Sequence, residues 1–455
     1  MSRIFHPGRA WGWAALLLLA IPVAAMAGDY TYTTNSPDTN TITITRYYSS
    51  GYAVDIPSNI EGKTVTCIGC SAFAGHSGIR NVTIPSSITS IGEGAFELCT
   101  SLTNVTIPPS SLTNMGEWAF SACASLVSIA IPPNVISIGK GVFDGCESLT
   151  NVTIPDGVTN LADMVFRSCT SLTSVTIPAG VTSIGDGALN DCVNLTNVTI
   201  PASVICIERG AFNGCANLGN VAIPDRVTSI EQDTFGGCSS LINITIPDAV
   251  TNVGGWAFRS CTSLTNVAIP ACVTRIGEGA FYGCASLTNI TIPDRVTRIE
   301  WRTFTDCTSL MSITIPSSVT NMGAWAFSGC TSLSRVYFTG NAPYYDEGVF
   351  SSPSTIYYLR GTTCWPPVPE LWADRPTALW LPEAVDDGSL GVQGGRFGFN
   401  INWASGQTVV VEACTNLADP VWTPVGTNTF AGDLTTFGDS EWANRPGRFY
   451  RLCLP

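Results

Sequence analysis

The chain has 455 residues, room for about three domains of ordinary size, and 45% of them are apolar, which excludes a disordered polymer. Only 12% are charged, and acids outnumber bases 34 to 21 for a net charge of −13. A phosphate-binding surface needs clustered Lys and Arg, so nucleic acid is not an expected partner, and anionic lipid headgroups would repel the chain.

Residues 1–27 read as a signal peptide, with Arg3 and Arg9 ahead of an apolar run from Trp11 to Val23 and a small-x-small site at Ala25-Met26-Ala27. The run is about 13 residues, too short to cross ~30 Å of hydrocarbon as a helix, and no later stretch is long and apolar enough to span a membrane. Export with cleavage near Ala27, to the cell surface or the medium, is the expected localisation. Residues 28–66 read as an N-terminal cap, with the Thr41-Ile-Thr-Ile-Thr45 alternation and Ile56-Pro57 as a degenerate coil.

From residue 67 to 338 one unit repeats. A strand-ending Pro recurs from Pro85 to Pro316 at steps of 23 residues, with one step of 24 between Pro108 and Pro132. An aromatic anchor keeps the same beat from Phe73 to Phe327, with Leu189 as the one substitution, which gives twelve coils. Three residues after each anchor stands a Cys, from Cys99 to Cys330, with His76 in that place in the first coil. Within a unit, Val105-Thr106-Ile107 alternates with period two, so Val and Ile face inward while Asn104 and Thr106 face out. Pro108 ends the strand because it has no N–H for a ladder, and Ile88-Thr89-Ser90-Ile91 marks a second short strand before a Gly turn. One coil cannot bury its own apolar side chains, so each serves as the lid of the next and the stack forms a rod about 55–60 Å long.

These units resemble leucine-rich repeats of the BspA type, over roughly residues 60–340. The resemblance implies a mainly β, right-handed leucine-rich-repeat solenoid used for protein–protein or adhesive contacts, and it carries no catalytic residue. Residues 339–381, rich in aromatics and Pro, are expected to form irregular coils and a cap, and 382–392 a polar linker. From 393 to 455 the runs Phe397–Trp403, Val409–Ala413, Trp422–Thr429 and Arg448–Leu452 predict a small β-sandwich-like module.

Eighteen cysteines in an exported chain invite a disulfide reading. Eleven of them occupy one repeat position and must stack as a column, with parallel Cβ atoms ~4.8 Å apart against the usual ~3.8 Å of a bridge, so they are expected to be buried thiols. Cys206 and Cys272 are three coils apart, too far to pair. Cys67 and Cys70 form a C-x-x-C inside the repeat register, as a local disulfide or two free thiols; a bridge between Cys414 and Cys453 is an open alternative. His76 is the one histidine after the signal segment, and Asp156, Asp225, Asp248 and Asp294 follow the strand-ending Pro as turn residues. No G-x-x-x-x-G-K-[ST], H-E-x-x-H, G-x-S-x-G or complete EF-hand loop occurs, so no enzyme activity, cofactor or metal is expected.

A binding surface must then come from what the repeat exposes. One candidate is the polar row that includes Asn220, Asn243, Asn266 and Asn289, flanked by a row of Thr; stacked Asn and Thr also simply favour β structure. The other is Trp256, Trp301 and Trp325, at or beside one loop position in coils nine, eleven and twelve, with Arg275, Arg295, Arg298 and Arg302 nearby. Trp and Arg are enriched in binding hot spots. The expected partner is a protein or a glycan, with a rigid spacer presenting the C-terminal module as the alternative role and a carbohydrate-binding or carbohydrate-active protein ranked behind it.

Overall fold

The structure is a computed structural model that describes residues 25–455 apart from 110, 368–369, 395, 419 and 445–446. The signal segment therefore lies outside the described residues up to position 24. Ala25–Ala27, at the expected cleavage site, pairs antiparallel with Tyr30–Thr34.

Parallel strands stack into a solenoid of about fifteen turns. The strand that ends at the repeat Pro builds an 11-stranded sheet from Ala53–Asp55 to Asn289–Ile290. A 5-stranded sheet continues it through Ser312–Ile315, Arg335–Phe338 and Thr355–Tyr358. In each coil the middle residue of Asn104–Thr106 or its equivalent is buried and its two neighbours are exposed, as the period-two pattern requires. Short two-residue strands such as Ser90–Ile91 and Asn114–Met115 line a second side. The only helical turn among the described residues is a 3-10 turn at Trp442–Asn444.

The interior is a set of columns. Phe73 to Phe166 stack ring on ring, and so do Phe212 to Phe350, with centroids 4.9–6.0 Å apart and planes within 16°. Leu189 interrupts the stack, fully buried. Twelve coils is too low a count, because aromatic anchors without the consensus around them extend the column at both ends. Tyr47 packs on Phe73 at 5.0 Å, and Phe350 on Phe327 at 5.5 Å. Between these columns the backbone of successive coils nearly touches: a Cβ on Gly92 would lie 2.7 Å from the carbonyl carbon of Gly69.

All eleven column cysteines are buried free thiols. Each Sγ donates to the carbonyl of the anchor one coil back, 3.0–3.3 Å away, from Cys99 to Phe73 through Cys330 to Phe304. The thiol is thus a donor that satisfies a carbonyl buried between coils, a role an aliphatic side chain of similar size lacks. Cys414 and Cys453 are also free, and the strand register explains it: Cys414 faces Phe449 while Cys453 faces Val410.

Stretch 382–392, expected as a linker, carries Glu383–Ala384 and reaches Gly391–Gln393, both paired with Arg396–Asn402. That strand also pairs with Leu434–Asp439, and a second sheet holds Thr408–Cys414, Thr423–Thr429 and Phe449–Cys453. The core of this C-terminal module runs into the last coils: Phe399, Ile401, Trp403 and Phe437 share one cluster with Leu359 and Trp380, and Trp403 Nε1 donates to the Trp380 carbonyl at 3.1 Å.

Burial pushes Cys99, Cys192 and Cys261 up to about 12, and holds Cys123, Cys169, Cys215, Cys238 and Cys284 well above the ordinary thiol value. An unfolded thiol ionises near ~8.5, so the stability these groups contribute is complete below that pH and is lost as pH rises toward the folded values, at up to about 1.4 kcal/mol per thiol per pH unit. The melting temperature is expected to fall steeply between about pH 9 and 11. At pH 8 a thiol reagent should modify no more than the six cysteines that are not buried (Cys67, Cys70, Cys206, Cys272, Cys364 and Cys453) until denaturant is added. A flat melting profile, or rapid reaction of the column, would contradict the packing described.

Candidate functional site

Each coil turns from its short strand into the anchor through one residue in left-handed backbone conformation. Gly fills this position at Gly94, Gly141, Gly187, Gly210, Gly279 and Gly348. Trp118, Trp256, Arg302 and Trp325 fill it with φ between 55° and 58°, and Ser71, Met164 and Asp233 with φ between 52° and 54°. A side chain there costs ~1–2 kcal/mol relative to Gly, so bulky residues are held against a local preference.

The structure brings the three predicted tryptophans together. Trp256 and Trp301 meet edge to face at 5.7 Å, and Trp301 and Trp325 at 6.3 Å. Tyr282 packs on Trp256 at 5.7 Å. Trp256 and Trp301 are two coils apart in sequence, and they meet because the coil between them has Gly279 at the turn. The Trp256 ring lies over that Gly, where a Cβ would come within 2.3 Å of it. Arg302 sits between indoles, its guanidinium carbon 4.6 Å from the Trp301 ring centre and 5.2 Å from that of Trp325. Its Nε is buried without a partner, and among the described residues its side chain forms no ion pair. A guanidinium over an aromatic face gains ~0.5–2 kcal/mol. Trp325 remains 37% exposed, and Trp256, Trp301 and Arg302 are half-buried.

Arg275 and Arg298 stand apart from this cluster, exposed on the short strands Arg275–Ile276 and Arg298–Ile299. Arg298 is engaged by Glu300 at 3.0 Å and approaches Asp346 at 4.0 Å. Arg295 is exposed in a turn. Tyr282 was not singled out by sequence, since it lies one residue beyond an anchor; the 23-residue column does align Arg302 with Trp256 and Trp325, which is the signal that identifies it.

Asn220, Asn243, Asn266 and Asn289 form an unbroken in-register row on the long sheet, all exposed. They lie on a different segment of the coil from the tryptophans. Elsewhere in this row the amide bonds within its own coil, Asn151 to Thr150 and Asn197 to Thr196 at 3.3 Å. The cross-coil contacts come from the preceding Thr, whose hydroxyl donates to a carbonyl one coil back, as Thr196 does to Thr173 at 3.3 Å.

The outlying thiols are also placed. Cys206 donates to Glu208 at 3.0 Å, and burial with that carboxylate pushes it up to about 11. Cys272 donates to the carbonyls of Asp248 and Val250. His76 shares Nδ1 with the Phe73 carbonyl at 3.0 Å and packs against Tyr47 at the N-terminal end of the stack. Among the described residues no three His, Cys, Asp or Glu are grouped to hold a metal ion, and no helix is long and apolar enough to cross a membrane.

The BspA type leucine rich repeat region, in six copies, matches residues 47–173, 165–284 and 257–362. Among solved structures, a leucine rich cell surface protein from Faecalibacterium prausnitzii is 34% identical. The match covers 70% of this chain and 96% of that one, with a TM-score of 0.55. A leucine-rich repeat protein from Bacteroides ovatus is 29% identical over 69% of this chain and 94% of that one, with a TM-score of 0.54. No curated protein matches the chain.

The Trp256–Gly279 contact gives a direct test. Gly279→Ala places a Cβ in a left-handed position and against the indole; an unstrained exchange would stabilise by up to ~1 kcal/mol, and this one is expected instead to destabilise by more than that. It should also shift the tryptophan emission as Trp256 leaves Trp301. Unchanged stability and emission would refute the packing of this row.

Proposed function

We propose that this chain, which belongs to the BspA-type leucine-rich repeat family, is an exported, non-enzymatic scaffold that binds a partner protein or glycan at the cell surface. Family membership supports a repeat scaffold for protein interaction, and the cell-surface description of the Faecalibacterium relative supports the location. The composition of residues 1–27 supports export with cleavage near Ala27.

The observation that carries the reading is the row Trp256, Trp301, Arg302 and Trp325: partly exposed rings and a guanidinium with no ion pair among the described residues, with Trp256, Arg302 and Trp325 held on backbone that favours Gly. Strained positions that persist in a packed scaffold point toward function, and aromatic and Arg side chains are those from which binding energy is concentrated. Arg275, Arg298 and the Asn220–Asn289 row, all apart from this centre, are the outer candidates.

A second reading, a rigid spacer that presents the C-terminal module, draws on the shared core of Trp380, Leu359 and Trp403, which makes module and rod one body. Removing two whole coils separates the two: a spacer tolerates the shorter rod.

The full chain from Gly28 is expected to bind saturably to at least one member of an array of extracellular proteins and polysaccharides. Replacing Trp256, Trp301 and Trp325 together with Ala should weaken that binding at least tenfold, about 1.4 kcal/mol, with the melting curve still cooperative. Undiminished binding by the triple variant would overturn the assignment of the surface.

A further inference from the structure

The C-terminal module carries a cleft of about 850 Å3, a size that takes a small ligand or one to two sugar rings. Strand alternation builds it. Along Arg396–Asn402, Phe399 and Ile401 turn into the core, so Gly398 and Asn400 face the other way. Gly398 is in register with Gly391 on one side and Gly438 on the other, which leaves backbone as the floor. Polar side chains rise on both sides of that floor: Gln393 and Arg396, in register with each other, on one wall, and Asp387, Ser389, Asn400 and Thr436 on the opposite one.

The second wall is fixed before any ligand arrives. Asn400 Nδ2 donates to Asp387 at 2.8 Å, and the Ser389 amide donates to the other Asp387 oxygen at 2.9 Å. Thr436 donates to the Asn400 side-chain oxygen at 2.7 Å, and the Asn400 amide donates to Ser389 Oγ at 2.9 Å. Each of these groups retains further donor or acceptor capacity, and the ordering cost of aligning them is met in the free protein.

We propose that this cleft binds a neutral carbohydrate, a sugar unit of an uncharged polysaccharide. Hydroxyl groups both donate and accept, and the walls offer both: carboxylate and amide oxygens from Asp387, Asn400 and Gln393, and N–H donors from Arg396 and the amides. The one carboxylate and the one guanidinium stand on opposite walls and balance, so an ionic ligand meets no net opposite charge there. Polar groups predominate in the lining, with Phe399, Val425 and Phe437 as its apolar part, which suits the two-sided chemistry of a sugar ring better than a lipid or an apolar cofactor. The site lies in a different element from the tryptophan row and does not depend on it.

Affinity electrophoresis of the full chain in native gels tests this with three probes: galactomannan, soluble starch and polygalacturonate. Retardation is expected in at least one of the two neutral gels and none in polygalacturonate. Asp387→Ala and Asn400→Ala should each weaken the retarding interaction at least tenfold. Gly438→Trp is the second variant: its φ is ordinary, and a Cβ there meets only the Arg396 Cδ at 3.8 Å, so the new ring fills the trough with the sheet intact. It should abolish retardation at an unchanged melting temperature. The Trp256/Trp301/Trp325 triple variant should migrate like the parent chain. No retardation in either neutral gel, retardation in polygalacturonate alone, equal retardation of the cleft variants, or loss in the tryptophan variant would each overturn the proposal.

Discussion

In this chain a coil does not complete its own hydrogen bonds. The Phe96 amide donates to Ala119 at 2.8 Å, the Gly92 amide to Ile68 at 2.7 Å and the Cys99 thiol to Phe73 at 3.2 Å, and every partner belongs to a neighbouring coil. Buried backbone groups left unpaired cost several kcal/mol in total, so the stack is stable as a stack. The columns of Phe, Cys and Gly are consequences of that constraint: each position sees its own copy one coil away and must pack against itself. A rod of this kind needs terminal cover, and the aromatic ends with Tyr30 and Tyr47 at one side and Trp365 and Trp372 at the other supply it.

The same constraint leaves certain positions free. Outward residues of the long sheet and the left-handed turn residue contribute little to the core, so they can vary without unfolding the neighbours. Over coils nine to twelve that freedom has placed Trp256, Trp301, Arg302 and Trp325 within one run of contacts. A rigid, pre-ordered set of rings would lose little entropy on binding, the property on which the proposed surface draws. The C-terminal module adds a concave polar site of a different kind, joined to the rod through Trp380 and Trp403.

Much of the fold is legible in the sequence because Pro, Phe and Cys each answer a fixed physical demand once per coil. What escaped was set by partners distant in sequence. Tyr47 and Phe350 extend the ring column without the consensus around them. The strand Leu434–Asp439 reads as a polar run until Phe437 and Asp439 are placed inward, where Asp439 meets Arg448 and Tyr450. The thiol hydrogen bond is likewise invisible in a one-dimensional reading, since its acceptor is the backbone 26 or 27 residues earlier. For the surface, composition drew attention to Trp256, Trp301 and Trp325 and the 23-residue register aligns Arg302 with them, while the fold shows what each Arg meets: Arg302 lies between the rings and Arg298 is held by Glu300.

The central claim is that coils hold one another through a continuous interior, and amide hydrogen exchange on the full chain tests it most directly. Protection should rise from both ends toward the middle coils, with the amides of the C-terminal module opening together with those of the last coils that share its core. A middle coil that exchanges ahead of its neighbours, or a module that opens independently of Leu359 and Trp380, would contradict the account.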